Sequence, residues 1–172
     1  MASRIEDYAI VGDMQSAALV CADGSVDWLC LPRFDSAACF AALLGTPDNG
    51  RWRIAPAGAP PGAPAGPGGP GRPGGSRAGA AASRRYAGDT LILETEWQTA
   101  SGAVLVTDFM PPRNDDPPAL ARVVTGLSGT VEMDVTLTVR FGYGSVVPWV
   151  HKVDGGIRAI AGPDSVWLRT PV

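Results

Sequence analysis

The dipeptide Asp23-Gly24 lies between two short apolar runs, Ala17 to Ala22 and Ser25 to Cys30, and no other feature narrows the fold as much. A two-residue turn of type I′ needs positive φ at both central positions, which Asp-Gly suits, so the pair predicts the tip of a β-hairpin. With that tip, Ala22 faces Ser25, Cys21 faces Val26, Leu19 faces Trp28 and Ala17 faces Cys30. Side chains alternate along a strand, so Ala17, Leu19, Cys21, Val26, Trp28 and Cys30 share one wholly apolar face, expected to be core and to bury Trp28. The opposite face, with Ala18, Val20, Asp27 and Leu29, is mixed and expected to be half covered. Asp23, Gly24 and Trp28 therefore read as structural.

The same register decides the cysteines. Cys21 and Cys30 stand four pairs apart, roughly 13 Å at the usual strand rise, whereas a disulfide needs Cα atoms within about 7 Å. With Cys39 as the odd third, the expectation is three free, buried thiols in a reducing compartment. One histidine and no paired cysteine motif leave no metal site of the His/Cys kind, and no cofactor motif is present.

Pro32 ends the hairpin's ladder because it has no N–H to donate. Asp35 or Ser36 then reads as the cap of a short helix from about Ala37 to Leu44, stopped by Gly45. Tyr8 to Val11 and Arg51 to Ala55 read as strands. Residues 56–82 are almost wholly Gly, Pro and Ala, a composition with nothing to bury, and are expected to form a disordered insertion. Thr90 to Thr99 and Ala103 to Met110 predict a second hairpin turning at Ser101-Gly102, with Trp97 in the core. Val131 to Phe141 alternates apolar and polar residues without a break, which predicts one buried and one wet face. Leu120 to Thr125 is its expected antiparallel partner. Further strands are expected around Trp149 to Val153, Ile157 to Ala161 and Val166 to Arg169. Many short strands with regular turn signals indicate an all-β antiparallel sandwich, expected to be incomplete because the chain stops straight after a strand.

The chain has 172 residues and a net charge of −3, which points away from nucleic acid and anionic lipid. Acidic residues occupy the start, where a signal peptide needs an apolar run, and no stretch is long enough to span a membrane, so a cytoplasmic location is expected.

Carboxylates are the residues a glycosidase would use in pairs. Glu94 with Glu96, and Glu132 with Asp134, each share a strand face, which is the ordinary pattern of a wet side. Asp108 interrupts an apolar strand; a buried carboxylate needs a partner, and Arg113 or a backbone amide are the candidates. Asp13 reads as a turn carboxylate and His151 as a solvent-facing imidazole. The loop Arg33-Phe34-Asp35 sets a guanidinium, a ring and a carboxylate at the end of a core strand, as a functional loop or as a cap with a core aromatic.

The run IEDYAIVGDMQSAALVCADGSVDWLCLPRFDSAACFAALLG resembles the N-terminal domain of glycoside hydrolase family 15 proteins, the bacterial glucoamylase and trehalase-like group. RRYAGDTLILETEW and GAVLVTDFMPPR resemble its next two signature stretches, and GLSGTVEMDVTLTVRFGYG follows in order. The resemblance implies an antiparallel super-sandwich preceding an (α/α)6 catalytic barrel that hydrolyses α-glucosidic bonds with inversion. Both catalytic glutamates of the family belong to the barrel, and no position here matches them, so the expectation is a single non-catalytic domain over 1–172 without the barrel. Its expected partner is that barrel in the same polypeptide, with α-glucan or trehalose reached through the parent. Arg33, Phe34 and Asp35, with the adjoining helix, are the expected contact. The alternative is a stand-alone glucan-binding or protein-interaction module using Trp52, Trp149 or Trp167.

Overall fold

The computed structural model describes residues 3–60 and 81–171, the side chains of residues 81 and 82 excepted. Its strands are β1 Tyr8–Gly12, β2 Ala17–Cys21, β3 Ser25–Cys30, β4 Ala38–Phe40, β5 Arg51–Pro56, β6 Ala81–Tyr86, β7 Leu93–Gln98, β8 Gly102–Phe109, β9 Ala121–Gly129, β10 Met133–Thr138, β11 Trp149–Val153, β12 Gly156–Ala161 and β13 Asp164–Arg169. They form an antiparallel β-sandwich. A six-stranded sheet runs β1-β2-β3-β5-β10 with β4 added to β3; a four-stranded sheet runs β6-β7-β8-β9; a three-stranded sheet runs β11-β12-β13. The alternation of β7 and β8 puts Leu93, Thr95 and Trp97, and Val104, Val106 and Asp108, on the faces turned to the core. Val11, Ala18, Val20, Val26 and Leu29 meet Leu93 and Met110 there, while Ile54 and Ala55 meet Trp97, Val104 and Val106.

The first hairpin forms, but its tip differs from the expected one. The Gly24 N–H donates to the Cys21 carbonyl at 3.0 Å, and Gly24 has φ +82 while Asp23 is not in the positive region. The loop therefore has three residues, Ala22 to Gly24, and the last supplies the left-handed position. Leu19 still faces Trp28, but Val20 faces Val26, so Asp27 is the extra residue of a β-bulge. A one-residue slip reverses every side chain beyond it. Val26 consequently shares a face with Ala18, Val20 and Leu29, and that face, expected to be the half-covered one, is the core. Ala17, Leu19 and Trp28 are half-buried instead. Trp28 lies over the small cluster Cys30, Ala38 and Ala41 and against Tyr143, ring centroids 6.0 Å apart.

Other expectations need correction. The helix at 37–44 is absent: Ala38–Phe40 is a strand on β3, followed by a single 3-10 turn, Ala42–Leu44. Beyond Val26 the outer edge of β3 is free of β5, which pairs only at Ser25 and Val26, and the chain satisfies that edge rather than its own helix. Asp35 and Ser36 accordingly cap no helix. β9 pairs with β8, and β10 pairs with β5, so Leu120 to Thr125 is not the partner of Val131 to Phe141. Val139 and Phe141 are buried as the alternation predicts, but Val135 is exposed because β10 is the edge strand of its sheet. Of the stretch 56–82, Pro56 ends β5, Ala59 is buried, and Ala81 and Ala82 open β6; residues 61–80 lie outside the described residues. All three cysteines are free and buried, and burial pushes the Cys21 thiol up to about 11 and the Cys39 thiol up to about 12.

A buried ion pair helps to tie the two main sheets together. Asp108 and Arg122 face each other across β8 and β9, and neither side chain is more than 1% exposed. Arg122 Nε donates to Asp108 Oδ1 at 2.8 Å and Nη2 to Oδ2 at 3.3 Å. The same guanidinium crosses to the other sheet, donating from Nη1 to the Trp52 carbonyl at 2.6 Å and from Nη2 to the Gly24 carbonyl at 2.8 Å. Its plane lies over the Trp52 ring, 5.3 Å from the centroid. The partner of Asp108 is therefore Arg122, not Arg113. Replacing Asp108 by Ala strands a buried guanidinium, and urea unfolding should register a loss of about 3–5 kcal/mol. A loss under about 1 kcal/mol, the scale of an exposed pair, would show that the pair does not hold the sheets together.

Candidate functional site

The loop after β3 is held by its backbone and leaves its side chains free. The Phe34 N–H donates to the Gln15 carbonyl at 3.0 Å, and the Ser36 N–H to the Arg33 carbonyl at 3.1 Å. Ser36 Oγ accepts from the Arg33 N–H at 3.1 Å. Gln15 belongs to the β1–β2 connection, which is fixed in turn by Asp13. Asp13 Oδ1 accepts the N–H groups of Ser16 at 2.7 Å and Gln15 at 3.0 Å, and Oδ2 lies 2.6 Å from Arg113 Nε. Ser16 Oγ donates to the Cys30 carbonyl. The segment after β8, the β1–β2 turn and the end of β3 thus form one hydrogen-bonded unit.

On that unit stand the side chains the sequence singled out. Phe34 is 59% exposed, so it is not core, and Met14 on the neighbouring turn is 85% exposed. Arg33 Nε donates to Asp35 Oδ1 at 3.0 Å with both side chains in solvent. The hydrogen bond from Arg33 holds the Asp35 carboxyl below the ordinary range. Burial alone would push Asp13 up, but the Ser16 and Gln15 amides and the Arg113 guanidinium outweigh it and hold Asp13 below the ordinary range. The unit presents an ion pair and two large apolar side chains to solvent, as an exposed surface rather than a cleft.

The other singled-out residues serve the frame. Asp23 Oδ1 accepts from the Ser25 N–H at 3.0 Å and Ser25 Oγ at 2.6 Å, and Oδ2 is 3.9 Å from Arg53 Nε. A Cβ on Gly24 would meet the Ile54 carbonyl at 2.2 Å, so glycine is required there for space as well as for φ. Glu94 pairs with Arg85 at 2.7 Å, Glu96 accepts from Gln98, and Glu132 and Asp134 are exposed, which is wet-face behaviour. His151 is exposed on β11. Trp52 is half-buried under Arg122, which removes it as an exposed aromatic, whereas Trp149 and Trp167 are exposed. Among the described residues no three His, Cys, Asp or Glu side chains gather to hold a metal ion, and no helix is long and apolar enough to cross a membrane.

Sequence reasoning missed Arg84, Arg122 and the Tyr8–Asp27 pair, and it assigned Arg113 to Asp108, whereas Arg113 pairs with Asp13. Arg84 donates to the carbonyls of Asp7, at 2.8 Å, and Val20, while Tyr8 Oη donates to Asp27 Oδ2 at 2.8 Å. A signal for Arg122 existed: it is the one charge in an apolar run, as Asp108 is in the strand before it, and two such interruptions ask for each other.

Fold and loop together define an antiparallel β-sandwich domain with a backbone-anchored, solvent-exposed loop. Over residues 1–172 the chain matches the family described as trehalase-like, N-terminal, and it belongs to that family. It is 31% identical to the trehalase of Mycolicibacterium smegmatis over 94% of this chain and 25% of that protein. The trehalase of Mycobacterium tuberculosis is 30% identical over 91% of this chain and 23% of its own length. That of Thermoplasma volcanium is 25% identical over 97% and 25% respectively. The chain thus spans about a quarter of the length of these relatives. No solved structure matches it.

Removing the Arg113 charge should cost stability in a pH-dependent way. A carboxyl held below its unfolded pKa contributes stability that is complete above the unfolded value, near 4, and is lost as pH falls through the folded value. Arg113→Met should therefore be destabilised by about 3 kcal/mol at pH 7, with the gap to the parent narrowing below about pH 4. Urea titrations at both pH values read it; a gap independent of pH would mean that Arg113 acts through packing alone.

Proposed function

We propose that this domain is the non-catalytic N-terminal β-domain of an inverting α-glucoside hydrolase of trehalase or glucoamylase type, in glycoside hydrolase family 15. On this reading it packs against an (α/α)6 catalytic barrel in the same polypeptide, and trehalose or α-glucan is handled by that barrel. The observation that carries the reading is the loop Arg33-Phe34-Asp35: its backbone is tied to Gln15 and Ser36 while a ring and an ion pair are held out to solvent. Ordering a loop costs conformational freedom, and a lone sandwich gains nothing by presenting an exposed phenyl ring on an ordered loop. An adjoining domain would bury Phe34 and desolvate the Arg33–Asp35 pair. The matched trehalases, each about four times the length aligned here, support a further domain of that kind. The buried carboxylates fit the same reading, since Asp13, Asp23 and Asp108 each lie against an arginine and serve the frame. Three buried free thiols fit a cytoplasmic setting.

The test uses the domain joined to the catalytic region of a trehalase parent. Phe34→Ala and Arg33→Ala should each lower the melting temperature of the joined protein by several degrees, or its trehalose hydrolysis severalfold, while leaving unfolding of the isolated domain within about 0.5 kcal/mol of the parent. Equal effects on isolated and joined forms, or none on either, would remove the loop from the interface.

A further inference from the structure

The three-stranded sheet turns Ala159, Ala161 and Val166 toward the main core cluster and leaves its other face to solvent. By register that outer face consists of three cross-strand rows: Val153–Gly156–Arg169, His151–Arg158–Trp167 and Trp149–Ile160–Ser165. The protein is acidic overall, yet these rows carry two arginines, a histidine and two tryptophans, and no Asp, Glu, Asn or Gln. Trp149 is 77% exposed and lines an open groove of about 560 Å³ together with His151, Ile160, Val146 and Val147.

The cationic row beside the groove is already ordered. The Trp167 ring is approached by the guanidiniums of Arg158, Cζ 4.9 Å from the centroid, and of Arg169, at 5.9 Å. A guanidinium stacked on an indole keeps its N–H edge for an acid group. The Arg158 Nε–H is buried and has no hydrogen-bond partner among the described residues, so it is the terminal nitrogens that face outward. Arginine offers donors only, so what binds here must bring acceptors and negative charge. No amide or carboxylate on the face can pair with the donors on the edge of a base, which argues against a nucleotide. Hydroxyl oxygens accept from such a wall, and the C–H face of a sugar packs on an open indole.

We propose that the groove on β11 and β12 binds a phosphorylated saccharide, its ring against Trp149 and its phosphate against Arg158 and Arg169, with His151 between them. The saccharide part rests on the α-glucoside hydrolase reading; the anion part rests on the face itself. Calorimetric titration of the 172-residue chain with glucose 6-phosphate, glucose, inorganic phosphate and adenosine monophosphate tests both parts. Glucose 6-phosphate should bind saturably and at least about tenfold more tightly than the other three, and Trp149→Ala and Arg158→Gln should each weaken it about tenfold with an unchanged circular dichroism spectrum. Equal binding of inorganic phosphate would leave an anion site with no saccharide. Tighter binding of the nucleotide or of glucose, no saturable binding at all, or insensitivity to both substitutions would each overturn the proposal. None of these results bears on Arg33 or Phe34, whose effect is read in the joined protein.

Discussion

The Arg122 guanidinium links the two main sheets by directed hydrogen bonds through the core. It neutralises Asp108 on the neighbouring strand and reaches across the core to the carbonyls of Gly24 and Trp52. Gly24 O also accepts the Ile54 N–H at 3.0 Å, so the hairpin tip is held from β5 and from the opposite sheet at once. β3 and β5 pair at only two positions, Ser25 with Arg53 and Val26 with Trp52, and the clamp sits where that short ladder ends. Desolvating two charges roughly cancels their attraction, so such a pair adds little net stability over apolar packing. What it adds here is registration. An apolar contact is indifferent to a slip of a few ångströms, whereas four directed hydrogen bonds from one planar group are not.

Registration matters because the first sheet is irregular at its centre. The bulge at Asp27 reverses β3 between Val26 and Trp28, and without a fixed tip the hairpin has two competing ways to face the core. Asp27 itself is buried, and burial pushes its carboxyl above the ordinary range, countered by the hydrogen bond from Tyr8. Tyr8 lies opposite Cys21 on β1, so the same residue that steadies the bulge also fixes the edge strand. The clamp holds the hairpin at its tip, and the Asp13 unit holds it at the open end, where the exposed loop begins.

The sequence allowed the sandwich, its second hairpin and most strand positions to be read, because two-residue alternation and turn residues are local signals. Trp97 in the core, Asp13 as a turn carboxylate and the three unpaired cysteines follow from the same kind of reasoning. The face of the first hairpin could not be read correctly, since a bulge is one unpaired residue and Asp27 looks like any polar residue on a wet face. The helix at 37–44 failed for a related reason: AACFAALL suits a helix locally, and only the open edge of β3 makes a strand the better use of Ala38 to Phe40. The Arg33-Phe34-Asp35 loop was visible as a cluster of residue types, but its support was not, because Gln15, Asp13 and Arg113 meet across long sequence separations. The interruption of apolar runs at Asp108 and Arg122 was the legible half of the clamp; their pairing required the register of β8 with β9.

The arginines give these observations a common cause. The chain has one lysine, Lys152, and its remaining basic side chains are arginine, which in the sequence resembles only compositional bias. In the fold, Arg84 donates to the carbonyls of Asp7 and Val20, the latter beside the irregularity in the β2–β3 ladder; Arg53 donates to Ala59; Arg122 donates to Gly24 and Trp52. Bulges, short ladders and strand ends leave carbonyls without a backbone donor, and a buried carbonyl must find one elsewhere. A planar fork of five donors on a long stem can serve several such oxygens at once, while an ammonium serves them poorly and is more costly to dehydrate. The irregular β-architecture and the arginine bias are therefore two sides of one solution. It also separates the arginines by role. Those that satisfy interior carbonyls are committed to the frame, whereas others, Arg33 beside Phe34 and Arg169 beside Trp167 among them, keep their guanidiniums at the surface.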